Sequence, residues 1–257
     1  RLTGLTELMK ALPERVSVKR GWMALFTGIC MYQYQPKDAD NWLELARTLF
    51  VSTGEERGEL LTLIQQVLQY LIVDGRLVLG RELLPRLEEL LERHTEELDL
   101  RSCSKGYVAL AIGKTFFGSN LEQAESFARE GMKCAMKADS AESQFDLRLV
   151  CAYLALLKGR YSLMFAELES GYDLIRHFSP TQQTLVSQKI LVCLLLARTG
   201  DFFNFREQNL QLERSLGQAF LQQSPMGHVQ CQYQIECMLS EGMTEEARDL
   251  VDAYLGV

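Results

Sequence analysis

The sequence predicts an all-α fold: a solenoid of about six antiparallel helix pairs stacked side by side. Three observations predict it. Apolar residues return every three to four positions from end to end, with no sustained period-two alternation and no Asn-Gly hairpin turn. Turn-like glycines recur at Gly75, Gly118, Gly159, Gly200 and Gly242. Their interval of about 41 residues lies in the range of stacked supersecondary units. The segments before and after each glycine also differ in surface. Those before it are apolar almost all round, as in "LVCAYLALL" and "ILVCLLLA", which suits helices buried by neighbours; those after it are amphipathic.

The elements follow in order. A short lead-in helix is expected over residues 2–11. The first helices of the pairs fall near 14–34, 55–73, 98–116, 140–157, 181–198 and 224–240. The second helices fall near 38–52, 77–95, 120–137, 161–178, 202–217 and 244–255. The turn "QPKDAD" lies about one period before Gly75, and each glycine suits the left-handed conformation that ends a helix. A shared register supports the repeat. Seven residues before the glycines stand Leu68, Ala111, Ala152, Cys193 and Ile235; three before them stand Ile72, Thr115, Leu156, Ala197 and Leu239. All but Thr115 are apolar. Among second helices, Leu121, Ala124, Phe127, Ala128, Gly131 and Ala135 line one face, their small side chains admitting a close neighbour.

"NLEQAESFAREGMKCA" and "MTEEARDLVDAYL" carry the alanine-plus-aromatic spacing of the second helix of a tetratricopeptide repeat, and the chain resembles that family with a longer period. The resemblance implies a right-handed superhelix whose first helices line a concave groove. The N-terminus has a further likeness. Ala11, Leu12, Pro13 and Glu14, then Trp22 and Pro36, then Trp42, Leu43, Glu44 and Ala46 resemble the start of the helical-repeat region of STAND-class signal-transduction ATPases. The maltose-regulator group of bacterial transcription activators belongs to that class. This likeness implies a sensor that binds an inducer or a partner protein and so controls an ATP-driven assembly.

Composition narrows the function classes. The 257 residues carry a formal charge of −7, and no Lys/Arg run appears, which speaks against direct nucleic-acid contact by this segment. No apolar run approaches the length of a membrane span and no signal peptide opens the chain. Five prolines and no Gly/Ser-rich stretch leave no linker, so one domain over 1–257 is expected. The amphipathic pattern starts at once with Leu2, Leu5 and Leu8 after Arg1, the mark of a piece of a longer polypeptide. Seven cysteines without a CxxC read as reduced thiols of a cytoplasmic protein.

Catalytic and metal motifs are weak. "IGKT" over Ile112–Thr115 lacks the glycine a phosphate loop needs five residues before Gly113, where Val108 stands, and it lies within a helical run. His94, His177 and His228 have no metal-site spacing; the first two fall near ends of second helices, where a cation meets the dipole. The carboxylates of "RLEELLER" and "MTEEARD" pair at helical spacing with Arg86, Arg93 and Arg248 on solvated faces. No cofactor is expected. The candidate groove residues are Gln65, Gln69, Tyr107, Arg148, Tyr153, Lys189, Gln232 and Tyr233, polar or aromatic groups on first helices. Tyr107, Arg148 and Lys189 share one repeat position, eleven residues before the turn. Amides, guanidinium and rings suit peptide or sugar recognition; ordinary helix–helix contacts are the competing reading. The expected function is therefore non-catalytic: a ligand- or protein-binding region of a transcriptional regulator, or else a free-standing peptide-binding scaffold. Its partner is a small-molecule inducer or a protein, and unsealed terminal repeats would allow homo-oligomers.

Overall fold

The computed structural model describes residues 17–32, 36–73, 75–117, 120–178, 182–216 and 225–255. The expected lead-in helix, the Ala11–Glu14 motif and Gly118 lie outside them. Among the described residues every regular element is helical and no strand occurs. The elements are α1 (Ser17–Met31), α2 (Pro36–Thr53), α3 (Glu56–Leu68), a π-turn (Gln69–Val73), α4 (Leu77–His94), α5 (Leu100–Phe116) and α6 (Leu121–Lys137). They continue as α7 (Ala141–Leu157), α8 (Tyr161–Leu174), a 3-10 turn (Ile175–His177), α9 (Gln182–Thr199), α10 (Phe202–Leu216), α11 (Pro225–Ser240) and α12 (Thr244–Leu255). These bounds agree with the expected spans to within a few residues. The chain divides into two compact units between Ala138 and Asp139.

In the first unit, α1 packs closely on α2, and α5 on α6. The odd helices also meet in order, α1 with α3 and α3 with α5. Ala24, Leu25, Leu43, Ala46 and Phe50 form one core cluster, with the Trp22 ring edge-on to Phe50 at 5.2 Å. A larger cluster joins α3, α4 and α5 through Leu60, Leu63, Val67, Leu87, Leu90, Leu91 and Leu110. Gly113 sits where a Cβ would come within 2.5 Å of a Leu84 methyl, so a side chain there would require Leu84 to shift. Along α6 the small residues Ala124, Ala128, Gly131 and Ala135 are buried, and the Ser104 hydroxyl of α5 donates to the Gly131 carbonyl at 3.2 Å.

In the second unit, α7 packs on α8, α9 on α10, and α11 on α12, while α9 also meets α7 and α11. Phe145, Ile190, Leu194 and Phe205 are buried at its centre. Side-chain caps start several helices. Asp99 accepts from the Arg101 and Ser102 amides at α5, Asn120 from Gln123 at α6, and Asp201 from Asn204 at α10.

Helix ends carry a recurring device. At Gly159 (φ 68), Gly200 (φ 80) and Gly242 (φ 79) the chain turns left-handed. Each time, the glycine amide and the next amide close back onto the last turn: Gly159 to Leu156 and Arg160 to Ala155, Gly200 to Ala197 and Asp201 to Leu196, Gly242 to Leu239 and Met243 to Met238. Gly54, between α2 and α3, ends its helix the same way. Gly75 is also left-handed (φ 65), but it follows the π-turn.

Candidate functional site

The eight groove candidates are divided between the two units. In the first unit, Gln65 on α3 is half-buried and Gln69 in the π-turn is fully buried. Tyr107 on α5 is half-buried, its ring 6.2 Å from Phe127 of α6, and burial raises its phenol pKa. In the second unit, Arg148 on α7 donates to the Glu167 carboxylate of α8 at 2.7 Å. The shared repeat position thus turns Tyr107 and Arg148 toward the second helix of their own pair, while Lys189 on α9 is exposed. Tyr153 on α7 is half-buried, and desolvation pushes its phenol up to about 12. On α11, Gln232 is exposed and donates to Glu236 at 3.0 Å, whereas Tyr233 is buried beneath the Arg198 guanidinium, 4.4 Å from its ring centre.

Two polar clusters of the first unit are tied by ion pairs. Around the π-turn, the Tyr70 hydroxyl donates to Asp40 at 2.5 Å, and Arg76 donates to the same carboxylate at 2.9 Å while covering the Tyr70 ring at 4.2 Å. Burial, then the hydrogen bond to Asp40, raises the Tyr70 phenol far above its usual range. Gln66 donates to Glu44 at 3.1 Å, and its own carbonyl oxygen has no partner among the described residues. Between α3 and α4, Arg86 bridges Glu59 and Glu89, and Arg93 and His94 both hold Glu56. His94 is the last residue of α4, and both of its ring nitrogens meet carboxylates, Glu56 at 2.8 Å and Glu97 at 3.0 Å. The "IGKT" segment lies within α5, and Lys114 is tied to Glu88 at 2.7 Å. These groups serve packing and helix ends.

A concave site lies in the second unit, between α10 and α11, with a volume of about 250 Å³. From α10 come Phe205, Arg206, Asn209, Leu210 and Glu213, positions that share one helical face. From α11 come Gln234, Cys237 and Met238, and Glu241 and Met243 follow from the turn after it. Its walls are apolar and partly sulfur-bearing, and thioethers adapt to varied shapes. Arg206 pairs with Glu241 at 2.8 Å. Asn209, 4% exposed, donates to Glu213 at 3.0 Å, and the buried Gln230 amide donates to Asn209. This relay fixes the Glu213 carboxylate in the cleft. No cation among the described residues pairs with Glu213. Desolvation raises the Cys237 thiol pKa, which disfavours the thiolate. The arrangement is suited to holding a ligand by shape and hydrogen bonds.

Reading the first helices as groove-lining passed over this cleft, because α10 carries the polar half of it. The signal was present in "FREQNLQLE", where Arg206, Asn209 and Glu213 recur at helical spacing. Among the described residues no group of three His, Cys, Asp or Glu is placed to hold a metal, and no helix is long and apolar enough to cross a membrane. Among the described residues no cysteine forms a disulfide, and Cys103 and Cys134 lie at a sulfur separation of 3.5 Å. Comparison with family models, curated proteins and solved structures returned no match.

Proposed function

We propose that this chain is the binding region of a larger regulator: a tetratricopeptide-like, right-handed solenoid that holds a ligand or protein partner. The observation that carries the reading is the identical helix-ending hydrogen-bond pair at Gly159, Gly200 and Gly242, at an interval of about 41 residues. An identical turn at an identical register is what repetition of one helix-pair unit produces. The odd helices meeting in sequence within each unit supports the same reading, since stacked pairs bury their first helices against one another. The cleft between α10 and α11 supplies a concave surface with convergent polar groups.

The sensor role in a STAND-type activator rests on the N-terminal resemblance, of which Trp22 packs in the first core cluster. The test is to read the coding sequence on both sides of this segment. A phosphate-loop ATPase before it and a DNA-binding module after it are expected. An uninterrupted frame holding neither would remove the sensor role and leave a peptide-binding scaffold.

A further inference from the structure

We propose that the cleft between α10 and α11 takes an arginine side chain from a basic protein partner, with Glu213 as its counter-ion. The proposal rests on the binding role above and names the chemistry of the occupant.

Charge comes first. Residues 139–257 hold fifteen carboxylates against nine lysines and arginines, whereas residues 1–138 hold nineteen against eighteen. Nearly all of the chain's −7 charge therefore belongs to the second unit. Such a field draws cationic partners to that unit and not to the first. The cleft repeats the imbalance locally: two carboxylates, Glu213 and Glu241, face one guanidinium, Arg206, and that guanidinium is taken by Glu241.

Glu213 is built as an acceptor. Its carboxylate is half-buried and oriented by Asn209, which is oriented in turn by Gln230, and the last two are 4% and 2% exposed. Neither amide supplies the positive charge that a half-buried carboxylate favours. A relay that fixes the carboxylate and leaves its charge unmet is suited to a cation from outside.

Size and walls choose among cations. A cleft of about 250 Å³ is below the usual range for a whole drug-sized ligand, which begins near 300 Å³. It matches one long side chain. Leu210 and Met238 can cover an aliphatic stem while the charged head meets Glu213. The planar fork of arginine can donate to both oxygens of Glu213, since Oε1 keeps a lone pair beyond the one that Asn209 occupies, and a guanidinium is shed from water more readily than an ammonium.

The test is fluorescence anisotropy with a short labelled peptide bearing one central arginine flanked by leucines. Saturable binding that weakens with added salt is expected. Glu213→Gln keeps the shape and the amide relay, and should weaken binding on the order of tenfold or more. Glu246→Gln, on the exposed face of α12, should leave it unchanged, and circular dichroism checks that both variants are folded. A peptide with citrulline in place of arginine keeps the shape without the charge and should not bind. Equal binding by the citrulline peptide, or undiminished binding by the Glu213→Gln protein, overturns the proposal. Agmatine alone binding as tightly as the peptide overturns the assignment to a protein partner. If the arginine peptide fails while another ligand saturates the protein in a thermal-shift screen, the arginine assignment falls and the binding role stands.

Discussion

Cysteine and histidine give the sharpest residue-scale expectations. Cys30 is exposed, whereas Cys103 and Cys193 are 2% and 1% exposed, with thiols pushed up to about 12 by burial. Timed alkylation read by mass spectrometry should modify Cys30 first and these two only as the fold opens. Early labelling of Cys193 would mean that the α9 face is open. His94 bears on pH. Its pKa stands above the ordinary 6.5 because its ring meets the Glu56 carboxylate, then that of Glu97. Its contribution to stability is full below pH 6.5 and is lost as pH rises through the raised value. Glu56 is displaced the other way, chiefly by the His94 hydrogen bond, so its contribution is present above 4.5 and is lost as pH falls through its lowered value. Denaturation midpoints followed across pH should therefore decline on the alkaline side in the wild type, and His94→Gln should flatten that decline. An unchanged profile would show that the Glu56 contact is not made in solution. At this scale the sequence was a partial guide. That His94 would end a helix was legible, because helix ends are local. That Arg148 would pair with Glu167, or Tyr107 pack on Phe127, was not, because the rotation of a helix toward its partner depends on packing across the pair.

Helices were more legible than their side-chain environments. Cap residues and turn glycines punctuate the chain, and the observed bounds follow them: Asn120 opens α6, and Gly159 closes the turn after α7. Two features escaped. The π-turn over Gln69–Val73 has no distinctive local composition, and Pro85 sits within α4 on its exposed side. The turn glycines can be tested singly. Nothing lies within 4 Å of a Cβ built at Gly159 or Gly242, so the cost of a side chain there is that of the left-handed backbone alone. Gly159→Ala and Gly242→Ala should each destabilise by about 1–2 kcal/mol in urea titrations. A loss near zero at both would mean that these turns do not hold the left-handed form. Gly113→Ala differs in kind, since its methyl would press on Leu84, and it should shift the packing of α5 on α4 as well as the stability.

For the whole molecule, the all-helical class was legible from periodicity, which needs no tertiary information. The division between Ala138 and Asp139 and the acidity of the second unit went unremarked in the pattern, because no proline-rich or glycine-rich break marks the join. The proposed role is for this region to bind a partner and leave it chemically unchanged. The direct measurement is a thermal-shift screen of metabolites and peptides, each hit being recovered and identified after incubation. At about a hundredfold excess over its Kd, a true ligand adds about 2.7 kcal/mol of stability, which for a chain of this size raises Tm by several degrees. At least one such ligand, recovered chemically unchanged, is expected. A ligand recovered as a new product, formed by the wild type and not by a variant of the cleft, would contradict that role.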